Sequence, residues 1–276
     1  MDDGTSRAAA GGSTACARGL RVVVTGGARG IGAALARRFS AEGAHVAVND
    51  LDGAAAVELA REIGGEAVPG DASDAVEPAR RALGGIDVFC ANAGIAPEGG
   101  PDAPDELWDA AWNVNVMTHV RAARQLLPEW LERGSGRFVA TVSAAGLLSM
   151  VGSAPYSATK HAALAFAEWL SVTYRHRGIA VHALCPEGVR TDMLRGTGPV
   201  GDMVLAPTAI EPEDVASALF DALAQDRFLV LPHPRTAEYY AARAAAPDRW
   251  LTDMNHLQQK VERALADPPD AEGRGT

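Results

Sequence analysis

The chain of 276 residues carries a formal charge of −10, with 47% apolar, 5% aromatic and 22% charged residues. That apolar content excludes disorder, and the length allows one large α/β domain or two small ones. The acidic balance argues against a nucleic-acid partner, which needs clustered Lys and Arg, and against docking on anionic lipid membrane.

The opening stretch, MDDGTSRAAAGGSTACARG, has acidic residues where a signal peptide needs basic ones and no apolar run. Residues 1–18 therefore read as a loose tail. The first predicted strand, LRVVVT over 20–25, runs into GGARGIG and then a helical pattern with Ile31, Leu35 and Phe39 four residues apart. Gly26, Gly30 and Gly32 have the spacing Gly-x3-Gly-x-Gly. Such a loop between strand and helix lets backbone N–H groups approach a phosphate, and the helix N-terminus adds a favourable dipole. An ordinary glycine turn is the rival reading; the place at the first βα junction favours a dinucleotide.

Strands are also predicted at 44–49, 66–69, 86–91, 137–142, 179–184 and 228–231. Long amphipathic helical segments are predicted at 105–133 and 156–177. Alternation of this kind predicts an α/β fold with a parallel sheet and helices on both faces. Asp50 ends the second strand, 20 residues after Gly30. A carboxylate there can accept hydrogen bonds from ribose hydroxyls and repels a 2′-phosphate, which favours NAD over NADP. Arg29 argues the other way, unless it is solvated or contacts Asp50. The longest uncharged run, 138–159, is broken by Gly146, Gly152 and Pro155, so it reads as strand, loop and helix start rather than a membrane span.

Tyr156 and Lys160 share one helix face at four-residue spacing, and Ser143 lies 13 residues upstream, after the strand FVATV. Asn115 sits inside the first long helical segment despite the poor helix propensity of Asn. With these residues in place, the chain resembles the short-chain dehydrogenase/reductase family in its single-domain branch, over about residues 20–231. The motifs are TGGARGIG, GDASD, ANAG, WNVNV, VSAAG, YSATK and CPEGVRTDM.

The resemblance implies a Rossmann-type three-layer sandwich with a seven-stranded, mostly parallel, doubly wound sheet. Residues 19–266 would form one domain with a C-terminal helical extension, and residues 267–276 a second tail. It implies an enzyme interconverting a secondary alcohol and a ketone. Tyr156 would be the general acid/base, its pKa lowered by Lys160 and the nicotinamide charge. Lys160 would also hold the nicotinamide ribose. Ser143 would donate to the substrate oxygen. Asn115 would hold a water through its amide, linking Lys160 to solvent. Asp71 would contact the adenine, Asn92 would line the cleft and brace the central strands, and Thr191 would bind the carboxamide. Gly26, Arg29, Gly30, Ile31, Gly32, Asp50, Ala72, Ala93, Gly94, Pro186, Gly188 and Val189 complete the implied cofactor site.

Two departures stand out. Ala91 replaces an expected Asn, with little effect expected because Asn92 is present. Glu187 stands where the resemblance expects Gly after Pro186. It either binds a substrate hydroxyl or amine, or is merely solvated or backbone-capping. The segment DMLRGTGPVGDMVLAP is the expected mobile substrate loop, short, hinged at Gly196, Gly198 and Gly201, with Met193, Met203, Val204 and Leu205 as its apolar face. Leu147, Leu148 and Val151 should form the facing wall, and Ala145 completes the implied substrate contacts. Tyr239, Tyr240 and Trp250 fall in a helical pattern, expected to be a C-terminal helix near the pocket.

The cysteines Cys16, Cys90 and Cys185 make neither a disulfide framework nor a zinc site, the histidines give no metal signal, and a cytoplasmic location fits. His233, between two prolines, reads as structural or exposed. A homodimer or homotetramer through the two long helices is implied by the resemblance. The alternatives are an NADPH-linked ketoreductase, a redox-neutral lyase or epimerase, and a non-catalytic NAD-binding protein.

Overall fold

The computed structural model describes residues 17–266. In chain order the elements are β1 (Arg21–Thr25), α1 (Gly30–Ala41), β2 (His45–Asp50), α2 (Gly53–Ile63), β3 (Glu66–Pro69), α3 (Val76–Leu83) and β4 (Val88–Ala91). Next come α4 (Asp105–Trp112), a π-helical turn (Asn113–Met117), α5 (Thr118–Arg133), β5 (Gly136–Thr141), α6 (Ala145–Leu148), α7 (Ala154–Tyr174) and β6 (Ile179–Leu184). The chain continues with α8 (Asp192–Arg195), α9 (Gly198–Val204), α10 (Pro212–Ala224), β7 (Leu229–Val230), α11 (Arg235–Ala245) and α12 (Pro247–Ala266).

The seven strands form one sheet in the order β3-β2-β1-β4-β5-β6-β7, and every neighbouring pair is parallel. The expected sheet is thus all-parallel rather than mostly parallel. Its strands alternate their side chains between two cores. Val22, Val24, Val46 and Val48 pack with Leu35 and Phe39 of α1, Leu59 of α2 and Leu219 of α10. Val23, Ala47, Phe89 and Phe138 pack on the other side with Val76 of α3, Leu126 and Trp130 of α5 and Leu164 of α7. Both faces are covered, which is why the strands read as apolar runs.

Strand order reverses beside β1, whose neighbours are β2 and β4. A crevice opens outside the carboxyl ends of these strands at such a switch point. The amino ends are tied instead. Arg21 binds Asp87 through Nη2 at 2.7 Å and Nε at 2.9 Å, and Arg133 reaches the same carboxylate at 3.2 Å. The Arg21 hydrogen bond holds the Asp87 carboxyl below its ordinary value.

Several expectations need correction. The predicted strand ends shift by up to two residues, because pairing and not propensity decides where a strand stops. The segment 105–133 is interrupted by the π turn. The substrate loop is largely helical, in α8 and α9. Gly201 is no hinge: it is buried in α9, and a Cβ there would overlap the Thr197 side chain. The C-terminal extension is a pair of helices, α11 and α12, rather than one. The expected tail over 1–18 lies outside the described residues up to residue 16. Ala17 is already buried in the core, so the fold begins before the expected boundary. The expected tail over 267–276 lies outside the described residues. Among the described residues, no helix is long and apolar enough to cross a membrane; 138–159 forms β5, α6 and the start of α7.

Candidate active site

The glycine loop leaves β1 and enters α1. Gly26 and Gly30 have φ of 57° and 51°, in the left-handed region that side chains disfavour. A Cβ at Gly26 would stand 2.9 Å from Ala93 Cα, and one at Gly32 would stand 2.0 Å from the Gly26 carbonyl oxygen. Arg29, at the start of α1, makes no side-chain cap. The first N–H groups of this helix therefore have no side-chain cap.

Asp50 stands at the end of β2, where a carboxylate can meet the loop. Its Oδ2 accepts the Ala28 N–H at 3.0 Å and its Oδ1 accepts the Asp52 N–H at 3.0 Å. Arg29 forms an ion pair with Asp52, not with Asp50 as one reading of its position allowed. Asp52 is a neighbour that sequence reasoning did not single out; the Asp-x-Asp spacing in NDLDG was the available signal.

Asn92 ties the loop to the sheet. Its Nδ2 donates to the Thr25 and Gly26 carbonyls at 3.0 and 3.1 Å, and its Oδ1 accepts the Thr141 hydroxyl at 3.0 Å. The same Thr141 presents its carbonyl to Lys160 Nζ at 3.0 Å. Lys160 thus reaches back from α7 across the end of β5. It is buried, and burial lowers its pKa to about 8. Its Nζ lies 5.5 Å from the Tyr156 ring centre.

Tyr156 lines the cavity but is otherwise buried, and burial raises its phenol above the ordinary value, with the Ser143 side chain acting in the opposite direction. In the chain alone the pKa shift is therefore opposite in sign to the expected one. Ser143 follows β5 with φ of 113°, a strained conformation for a non-glycine residue. Its hydroxyl accepts the Ala145 N–H at 3.1 Å and faces the Pro186 carbonyl at 3.4 Å.

Asn115 is fully buried in the π turn. Its Nδ2 donates to the Ile95 carbonyl at 2.9 Å and Thr159 Oγ1 at 3.0 Å, and its Oδ1 accepts the Ile95 N–H at 2.9 Å. Both amide hydrogens are thus used by the protein, and a water held through this amide would sit on the second lone pair of Oδ1. The side chain fixes the Ile95 segment to α7, and the π turn is the local distortion that lets it reach.

A cavity of about 780 Å³ runs from the glycine loop to the C-terminal helices. It brings together Gly26, Arg29, Gly30, Ile31, Gly32, Asn92, Ala93, Gly94, Ser143, Tyr156, Lys160, Pro186, Gly188, Val189 and Thr191. Ala145, Leu148, Val151, Glu187 and Met193 also line it, as do Met203, Val204 and Leu205. Asp50, Asp71 and Ala72 do not line it; Asp71 caps a short turn by accepting the Ser73 N–H at 2.7 Å. Leu147 was expected on the wall but is buried in the core beneath it.

Tyr239 and Trp250 line the cavity from α11 and α12, with ring centres 6.2 Å apart. Tyr240 is exposed instead. Asp253, Met254 and Leu257 were missed; their spacing from Trp250 along one helix face was the signal. His233 is buried, and its Nδ1 accepts the Glu187 N–H at 3.2 Å.

Comparison with known proteins gives a consistent picture. A family profile described as short chain dehydrogenase matches residues 21–199. A 1-deoxy-11-beta-hydroxypentalenate dehydrogenase from Streptomyces exfoliatus is 40% identical over 75% of this chain and 80% of its own length. Its namesake from Streptomyces arenae is 39% identical over 75% and 79%. A short chain dehydrogenase/reductase from Burkholderia phymatum, solved in complex with NAD, superposes with a TM-score of 0.76 at 25% identity, covering 84% of this chain and 95% of the other.

Proposed function

The chain belongs to the short-chain dehydrogenase family, an oxidoreductase family acting on CH–OH groups, and we propose from that premise that it interconverts a bulky secondary alcohol and its ketone with NAD. The observation that carries this reading is the convergence of Ser143, Tyr156 and Lys160 on one cavity that begins at the glycine loop. The fit to a dinucleotide rests on the loop itself. Its backbone comes so close to Ala93 and to itself that side chains at Gly26 and Gly32 would fill the cradle, and the start of α1 has no side-chain cap to compete with an anion.

When bound, the nicotinamide supplies the hydride acceptor or donor. The remaining work falls to this chain. Ser143 donates a hydrogen bond to the substrate oxygen, where negative charge develops. Tyr156 exchanges a proton with that oxygen. Because burial favours its neutral form, the phenol is protonated near neutral pH and suited to give its proton to a carbonyl oxygen. In the oxidative direction the phenolate accepts the proton, and the Lys160 charge favours that form. Thr141 and Asn92 fix the position of Lys160 relative to the loop.

NAD is preferred over NADP in this reading. Asp50 offers a carboxylate at the end of β2, and Arg29 is already paired with Asp52, which makes it a poor partner for a 2′-phosphate. NADH is expected to bind more tightly than NADPH. Asp50→Ala is expected to narrow the ratio by roughly tenfold, because a like-charge repulsion is removed. Calorimetric titration of both cofactors measures it; equal affinities in the wild type would count against Asp50. Asp71 and Thr191 are proposed to contact the adenine and carboxamide.

A homodimer or homotetramer is proposed through α5 and α7. Trp169 and Val172 of α7 and Trp112 of α4 are 53%, 83% and 46% exposed, much apolar surface for helices in water. Light scattering should give at least twice the chain mass, and a clean monomer would refute the assembly. The activity itself is read by nicotinamide absorbance across a panel of bulky alcohols and ketones; turnover of none of them would reject the reading.

A further inference from the structure

Five charged side chains line the cavity. The cations are Arg29 in the glycine loop and Lys160 beside Tyr156. The anions are Glu187, Asp192 and Asp253. Asp192 pairs with Arg195, and Asp253 stands 3.9 Å from Arg249. Glu187 has no cation partner among the described residues.

The Glu187 carboxylate is nevertheless held in place. Its Oε1 accepts the hydroxyl of Thr236 at 2.6 Å, and Thr236 is fully buried at the start of α11. The Glu187 backbone N–H donates to His233 Nδ1 at 3.2 Å, and the His233 carbonyl accepts the Thr236 N–H at 3.1 Å. Since Nδ1 accepts, the ring proton of His233 sits on Nε2. These bonds clamp the turn after β6 to α11 and leave Glu187 Oε2 without a protein donor.

The cavity that Glu187 lines is mainly apolar toward the C-terminal helices, with Met193, Met203, Leu205, Tyr239, Trp250 and Leu257. A bulky ligand in this space displaces water from an uncompensated carboxylate. That is unfavourable unless the ligand brings a donor of its own, and worse if it brings a second anion.

We propose that Glu187 is a specificity residue: it accepts a hydrogen bond from a second hydroxyl or an amine on the substrate, and it rejects substrates carrying a carboxylate at that point. The inference deepens the alcohol–ketone reading above and rests on it for the placement of the substrate beside Ser143 and Tyr156.

The probe is a series of decalinones with one further substituent walked around the rings as hydroxyl, amino, methyl or carboxylate. Dissociation constants are measured by calorimetry on the NADH-saturated protein carrying Tyr156→Phe, which permits binding without turnover. At one ring position or more, the hydroxyl or amino compound should bind at least about tenfold more tightly than its methyl partner, and no carboxylate should exceed its methyl partner. Adding Glu187→Gln should remove most of the amino advantage and relieve the carboxylate penalty. Thr236→Val, which frees the carboxylate to turn, should shift the ratios the same way by less. A carboxylate binding as tightly as its hydroxyl partner, or ratios unchanged by Glu187→Gln, would overturn the assignment. Turnover by the Tyr156→Phe protein would count against the reading of Tyr156 instead, and the binding ratios would still decide for Glu187.

Discussion

Tyr156→Phe is expected to lower kcat by roughly a thousandfold while leaving NADH affinity within about twofold. A thousandfold loss corresponds to about 4 kcal/mol of barrier. The substitution removes one oxygen atom from a mostly buried ring, so packing in α7 is unchanged and a folding defect is not the cause. In the proposed mechanism, what is lost is the group that exchanges a proton with the substrate oxygen. Ser143 can donate a hydrogen bond but has too high a pKa to move the proton. The pH dependence gives a second readout. Burial raises the Tyr156 phenol, so its base form grows only as pH rises. Alcohol oxidation should therefore climb on the alkaline side in the wild type, and the climb should vanish in the variant. Steady-state rates across pH measure both effects. Residual activity above a tenth of wild type would reject the assignment.

Gly32→Ala is expected to weaken NADH binding by at least about a hundredfold and to destabilise the protein by about 1–3 kcal/mol. The new methyl would stand 2.0 Å from the Gly26 carbonyl oxygen and 2.7 Å from Asn92 Nδ2. Neither can yield freely. The Gly26 carbonyl belongs to the loop, and Asn92 is bonded to Thr25, Gly26 and Thr141. Relief must come from moving the loop away from α1, which spoils the cradle proposed for the phosphates. Gly84→Ala is the control. Gly84 also has a positive φ, of 71°, but a Cβ there meets nothing within 4 Å. It should cost about 1 kcal/mol and leave NADH affinity unaltered. Fluorescence titration of NADH and thermal unfolding separate the two variants. If the Gly32→Ala protein bound NADH about as tightly as wild type, the cradle would be contradicted.

The contrast between Gly32 and Gly84 also marks how far the sequence could be read. Gly-x3-Gly-x-Gly after a strand predicted a phosphate loop, and the loop has the close approaches that require glycine. Tyr156 and Lys160 were legible because helical periodicity alone puts them on one face. Tyr239 and Trp250 were legible as part of a helical pattern near the pocket. Leu147 and Leu148 were not separable, since adjacent residues of a short helix point in different directions and only the packing of α6 on α7 decides which enters the core. The partners of the Asn115 amide were not legible either. Its hydrogens go to Ile95, twenty residues back, and Thr159, on another helix.

Strands, helices, the glycine loop and the pairing of Tyr156 with Lys160 followed from the sequence by itself. Their causes are local: alternation of two, periodicity of 3.6, and the φ values open to glycine. The partner of each polar side chain was decided only by the tertiary structure. Arg29 chose Asp52 over Asp50, the helix around Asn115 opened into a π turn, and Glu187 was fastened by Thr236 and His233, more than forty residues downstream. Such choices depend on where distant segments come to lie. A buried donor or acceptor must be satisfied by whatever group packing brings within about 3 Å, and no local pattern names that group.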